Sequence, residues 1–317
     1  MKYQKFPIPK VTRLSESPLL CSVSHSKIGT NLNGPSVIKV PDWIPAALGT
    51  YYLYFAHHTG TFVRLAYADH LEGPWTVSDK EVLHLNDTGF SHVPVALSDE
   101  LNSRGMLLAP HIASPDVHVD DAQKKITMLF HGLHRNGQQA TRIADSNDGI
   151  SFVEASGDVA PPYLRACRFG SGFLGISWGG EVFTSPKLGG PYLKGPALFE
   201  RPNGPDLIPR HPMLVSDGKF VHVFYSLIGD CPERIWHLPS YPGDGWNNWR
   251  LGLPSIVLAP RLTWEGVDLP CKQSNVGPAW GLEHGLRDPC VFCDYLFYVG
   301  GGESGIGVSR IEWNSAV

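Results

Sequence analysis

The sequence contains no run of about 18 uncharged apolar residues and no stretch stacking five or six Lys or Arg. A membrane-crossing helix and a phosphate-backbone footprint are therefore absent, and neither a membrane nor a nucleic acid is expected as a partner. Charged residues make up only 18% of the chain, with a net charge of -4. The opening MKYQKFPIPKVTRL lacks the roughly 7 to 15 apolar residues of a secretory segment, which reads as a cytoplasmic protein. Helical periodicity is almost missing, as is H-E-x-x-H, so a helix-borne zinc site is excluded. The glycine-rich run Gly300 to Gly307 has no helix after it, which removes a phosphate loop. The six cysteines are scattered, and only Cys290 and Cys293 form a C-x-x-C, inside the apolar PCVFCDYLFY. Residues of odd spacing on a strand face opposite ways, so buried free thiols are expected there instead of a redox pair or zinc ligands.

Turn formers are abundant. The 317 residues include 34 glycines and 27 prolines, about a fifth of the chain against roughly one eighth in an average protein. With 42% hydrophobic and 11% aromatic residues, there is enough to bury for a core that needs no metal or disulfide. One unit recurs: an apolar strand opening at Pro, a second strand, a polar tip, and a third strand with a Gly-Pro or Trp close. Copies begin near Pro35, Pro115, Pro162, Pro212 and Pro289. Each is too small to bury its own apolar face, so the units pack round an axis. The expected fold is all-β, a single five-bladed β-propeller of antiparallel blades over 1–317, with 1–32 as an extension packing on or closing it. Two spacings exceed the roughly 40 to 50 residues of a blade; they hold Ser78 to Ser114 and Leu251 to Arg287, read as excursions over one face.

Strands that alternate from the axis outward place the start of each innermost strand and the tip after each second strand on one face. The starts supply Asn33, His111, Asp116, Arg165, Arg210, His211, Arg287 and Asp288; the tips supply His57, His58, His131, Glu233, Arg234 and Glu303. Ordinary solvated hairpins would carry Asn, Gly, Ser and Lys instead. Asp116, Glu233, Asp288 and His211 are accordingly expected to share one pocket.

The Pro-led openings, YYLYFA (Tyr51 to Ala56), LAYAD (Leu65 to Asp69) and Gly73-Pro74-Trp75, with Ser114-Pro115-Asp116-Val117 and Arg287-Asp288-Pro289, resemble the five-bladed propeller glycosidases of glycoside hydrolase families 43 and 117. The resemblance implies a glycosidase, exo-acting on a small oligosaccharide, that works by paired carboxylates and requires no cofactor. It also implies, as an option, a central divalent cation, with His211 and His284 as its candidate ligands. Asp116, Glu233, Asp288 and Glu265 are the catalytic candidates, Glu265-Gly266 standing for the pair that presents the acid in relatives. Trp264 and Asp268 beside it, with Asn33, His57, His58, His111, His131, Arg165, Arg210, Arg234, Arg287 and Glu303, are the substrate-binding candidates. Arg165, Arg210 and Arg287 among them raise an anionic sugar as one option. The chain departs from the family where an Asp base precedes the first Pro: here stand Asn33 and Gly34, neither of which takes a proton from water. A silent sugar-binding propeller, and a lyase or phosphorylase with Arg210 and Arg287 as phosphate clamp, are the alternatives. Oligomeric state is not legible.

Overall fold

A computed structural model describes residues 6–95, 108–199, 208–243 and 249–314. Five antiparallel sheets stand in a ring, a five-bladed β-propeller. From the axis outward, blade one runs Asn33–Lys39, Tyr51–Ala56, Phe62–Ala68 and Thr76–Val77. Blade two is Ile112–Asp120, Lys125–Leu133, Gln139–Ser146 and Val153–Ala160, and blade three is Arg165–Phe169, Gly172–Ile176, Glu181–Ser185 and Leu193–Ala197. Blade four is Ile208–Ser216, Val221–Ile228, Ile235–Tyr241 and Arg250–Leu251. Blade five takes Leu286–Phe292, Tyr295–Gly300 and Gly305–Asn314 from the end of the chain and Ile8–Arg13 from its beginning. Ile8 pairs with Asn314 and Arg13 with Ser309, so the ring is closed by a sheet that joins the two ends of the sequence.

The period of two along each strand explains why the blades stack. In YYLYFA, Tyr52 and Tyr54 pack toward blade two, with Val117 and Phe130, while Leu53 and Phe55 pack toward blade five, with Phe297 and Val299. Five apolar clusters result, one in each gap between neighbouring blades. No blade has a solvated face to spare, which is why its middle strands read as continuous apolar runs.

One irregularity recurs at the axis. Proline offers no N–H to a ladder, and in four inner strands the pairing register breaks around it. The residue before each of these prolines lies in the left-handed region: Gly34 at φ 56°, Ser114 at 49°, His211 at 39° and Asp288 at 50°, with Tyr163 at 62° in the corresponding place of blade three. The excursion after blade four crosses the mouth on this side, and its residues 269–284 form neither helix nor strand. It is tied down by a disulfide between Cys231, in the tip of blade four, and Cys271. Cys21, Cys167, Cys290 and Cys293 are free, so the C-x-x-C pair is unbridged as expected, but only Cys290 is buried and Cys293 is exposed. The middle of the earlier excursion, 96–107, lies outside the described residues.

Candidate active site

The bulges aim the residue before each proline into the mouth of the axis. Asp288, fully buried, is bonded by His211 Nδ1 through one carboxylate oxygen and by the Gly34 N–H at 3.0 Å through the other. Burial pushes this carboxyl up, but His211, the Gly34 N–H and Arg287 outweigh it and hold it well below the usual range. His211 is thereby fixed with Nδ1 toward Asp288. Tyr163 lies against it at 4.5 Å between ring centroids and against His131 at 3.8 Å on its other side. His131 is buried with neither ring nitrogen hydrogen-bonded, and burial together with His111, His211 and His58 keeps it neutral.

Arg287 is the hub of the next layer. Its Nη1 donates to Glu303 Oε1 at 3.0 Å, and its Nη2 lies 2.9 Å from Glu233 Oε2 and donates to Glu283 Oε2 at 3.1 Å. Burial alone would lower its pKa, but Glu233, Glu303, Glu283 and Asp288 more than compensate. Glu303 also binds Asn31 and His58 Nδ1, the latter at 2.7 Å. Against the upward pull of burial, His58 and Arg287 hold its carboxyl low. Glu233 accepts from Ser226 Oγ at 2.6 Å through Oε1, which is 2.9 Å from Arg210 Nε, whereas Oε2 takes no hydrogen bond. Arg210 spends its other N–H groups on the carbonyls of Asn275 and Gly277 in the excursion. Asn33 Nδ2 meets Asn31 Oδ1 at 3.2 Å and His58 Nδ1 at 3.0 Å. Beside this network, a cavity of about 520 Å³ is lined by Glu233, Glu283, His284, Arg287, Trp280 and Asn275 among others. Trp280 is 62% exposed at its edge and presents a ring to whatever enters.

The structure thus gathers Asn33, His58, Arg210, His211, Glu233, Arg287, Asp288 and Glu303 at one mouth, with His111 and His131 reached through Tyr163. Other expected residues lie elsewhere. Asp116 does not join Glu233 and Asp288: its carboxylate accepts from the Ala166 N–H and from His118 Nε2, both at 2.8 Å, and lies 3.7 Å from Arg165. It lines a second cavity with Ser36, Met213 and Cys290, the residues just past the other bulges, and with the rest of the inner strands. Arg165 donates to the Pro35 carbonyl and is no substrate fork. Glu265 is wholly buried and accepts from Arg13, Tyr298 and the N–H groups of Arg261 and Leu262. Every lone pair it would need for acid catalysis is occupied. Trp264 packs on Tyr298 and against Gly300 and Gly307, so it is core. Arg234 closes on Asp230 and Asp268 is exposed. His57 bonds Thr59 and sits near Trp280; burial and Arg64 lower it to about 4.

The implied cation does not fit these residues. Among the described residues no three His, Cys, Asp or Glu side chains are placed to share an ion. Of the two candidates, His211 is committed to Asp288 and His284 donates to the Leu269 carbonyl. Sequence reasoning missed Glu283, Asn31 and Ser226. No motif surrounds them; Glu283 acts on Arg287 four residues on, Ser226 on Glu233 within blade four, and Asn31 on Glu303 of blade five.

No family model matches the chain. It is 30% identical over 305 residues to "Uncharacterized protein R118" of Acanthamoeba polyphaga mimivirus, covering 89% of this chain and 83% of that protein. Among solved structures, it resembles a member of the GH130 family of mannoside phosphorylases, a family described as containing glycoside hydrolases that target beta-1,2 mannosidic linkages in Candida mannan. The TM-score is 0.60 at 11% identity, over 100% of this chain and 98% of the other. It also resembles a GH43_1 enzyme from Xanthomonas citri, with a TM-score of 0.56 at 14% identity over 96% and 92%. At such identities these likenesses establish the fold.

Proposed function

The chain belongs to the family of that mimivirus protein, and from the site it carries we propose that it is a glycoside hydrolase acting on the end of a small, neutral oligosaccharide. The observation that supports this reading is the cluster of Glu233, Glu303 and Asp288 round Arg287, at the mouth of a propeller axis, beside a cavity edged by Trp280. Glycoside cleavage needs an ionised carboxylate beside the anomeric carbon. Glu233 is its candidate: it lines the cavity and is oriented by Ser226, Arg210 and Arg287. In this role it takes the proton of the attacking water. Asp288 and His211 hold the floor of the mouth, with Tyr163 stacked on His211 and with Asn33 and His58 in the network round Glu303.

Neutral sugar and water are favoured over anionic sugar and phosphate for one reason. Arg210 and Arg287, the two arginines of this network, are already paired with carboxylates or excursion carbonyls, which leaves Lys272 as the cation on the cavity wall. Binding a phosphate there would strip a buried carboxylate of its partner, at a cost of several kcal/mol. A panel of aryl glycosides and natural oligosaccharides, read for released sugar with and without phosphate, tests the reading. Release that depends on phosphate would replace hydrolysis by phosphorolysis. A silent sugar-binding propeller remains the second reading, favoured by Gly34, where no carboxylate stands on blade one. Binding without release, weakened by Glu233→Gln, would establish it.

A further inference from the structure

The excursion that crosses the mouth is anchored on both sides of one aromatic ring. Ala279 is buried and its carbonyl accepts from Asn31 Nδ2 at 3.2 Å, while the Glu283 N–H donates to the Gly301 carbonyl at 3.2 Å. Between these anchors Trp280 stays 62% exposed, and a Cβ on Gly281 beside it would meet nothing within 4 Å. A ring on an anchored backbone loses little freedom when a ligand covers it, and covering it takes a large apolar face out of water.

The groups round Trp280 select the ligand. On the cavity wall Lys272 and Arg287 balance Glu233 and Glu283, so the wall has no net charge with which to draw in an ion. Donors and acceptors are both offered. His57 lies 6.5 Å from Trp280 between ring centroids, and its Nδ1 accepts from the Thr59 N–H at 3.1 Å. The proton of its neutral ring is therefore on Nε2, a donor. Glu283, paired with Arg287 through Oε2 and with its side chain 48% exposed, is an acceptor. A hydroxyl both gives and takes a hydrogen bond, and a pyranose adds an apolar C–H face, so a neutral sugar matches this set.

We propose that Trp280 is the platform on which the second unit of the oligosaccharide stacks, a subsite that sets the preference for chain length; this rests on the reading above that a neutral sugar enters by its end. Glu233 and Arg287, at 1% and 2% exposed, form the closed end of the cavity, and Trp280 forms its open end. The volume of about 520 Å³ lies within the roughly 300 to 1,000 Å³ of small-molecule sites. A chain that enters by its terminal unit fills the closed end first. The next unit then lies over the indole, C–H face down, with hydroxyls toward Glu283 and His57.

In the test, wild type, Trp280→Phe and Trp280→Ala are titrated with neutral gluco-, manno- and xylo-oligosaccharides of one, two and three units, followed by calorimetry and tryptophan fluorescence. Wild type should bind a disaccharide more tightly than its monosaccharide. Trp280→Ala should lose that advantage, about 3- to 10-fold in Kd, with the monosaccharide changed less than about twofold; Trp280→Phe should keep part of it. Disaccharide binding should shift the fluorescence of wild type more than that of Trp280→Phe. All three should unfold within about 2 °C of one another, because the ring is exposed. A disaccharide affinity untouched by Trp280→Ala, or a loss equal for one unit and two, would overturn the platform while leaving sugar binding and hydrolysis standing. A wild type that binds none of these sugars overturns the proposed function and the platform together. Self-association abolished by Trp280→Ala, seen by sedimentation velocity, would make the ring an interface between copies and overturn the platform as well.

Discussion

Glu265 is the residue on which the sequence and the structure disagree most usefully. The pair Glu265-Gly266 looks like the acid of a glycosidase, yet its carboxylate is a staple. Arg13 Nε and Nη2 reach it at 2.8 and 2.7 Å, the Arg261 and Leu262 N–H groups at 2.6 and 3.1 Å, and the Tyr298 hydroxyl at 2.9 Å. It thereby ties the strand that closes the ring to the excursion and to blade five. Glu265→Gln keeps the shape, removes the charge and sets an NH₂ among donors. Breaking a buried pair from one side costs about 3 to 5 kcal/mol. Unfolding entropy is about 2.1 cal/mol/K per residue, so a chain of this length loses roughly 1.5 °C of Tm per kcal/mol. The expected fall is about 5 to 8 °C, read by calorimetry, with kcat unchanged well below the transition. A loss of 10²-fold or more in kcat at unaltered Tm would refute the staple and return Glu265 to the acid's role.

Further outcomes follow from other contacts. Asp116→Asn, which weakens a bridge between blades two and three, should lower Tm by several degrees and leave kcat within about twofold; a large kcat loss at constant Tm would place Asp116 in the chemistry after all. Burial lowers His222 to about 4 and, with His222 beside it, His237 to about 3, so the unfolded chain binds protons first. Their contribution is complete above about pH 6.5 and falls by up to roughly 1.4 kcal/mol per pH unit per histidine as pH drops toward 4. His237→Gln should flatten the Tm-against-pH curve in that window, and an unchanged slope would count against the pair. Reducing Cys231–Cys271 frees a loop whose closure is worth about 4 kcal/mol and loosens the wall of the cavity. Both a Tm drop and a raised KM are expected, and a KM unaffected by reduction would show that the strap holds itself. Gly34→Asp, which puts back a first-blade carboxylate, sets a Cβ 2.8 Å from Ser114 Cα at a φ of 56°. It should cost about 2 to 4 kcal/mol and gain no activity; a stable, more active variant would contradict this.

The propeller was legible because its causes are local. Each blade repeats one pattern of apolar strands, tips and prolines, and packing between blades makes the period of two visible in every copy. Asp288, His211 and Glu233 were legible for the same reason, since strand starts and second tips share a face. Asp116 was misread by two residues. At a bulge the left-handed residue before proline takes the mouth, and the next side chain but one lies past the break, facing the neighbouring strand. Ser114 holds the position in blade two that His211 and Asp288 hold in blades four and five. Asn31 and the Arg13–Glu265 staple were not legible, because each works through a partner on another blade or at the other end of the chain, and Glu283 was not because no motif marks the excursion residue that meets Arg287.

The empty place on blade one follows from the same geometry. Gly34 cannot carry a side chain, because Ser114 of the next blade occupies the space, and its N–H is already the donor that holds Asp288. A glycine there is what allows a carboxylate to sit on the adjacent blade, with one oxygen on blade one and the other on His211 of blade four. The carboxylate of this mouth is thus carried by the adjacent blade, buried, and fixed as an anion by three partners on three blades. An ion so fixed orients its neighbours and does not exchange protons at neutral pH.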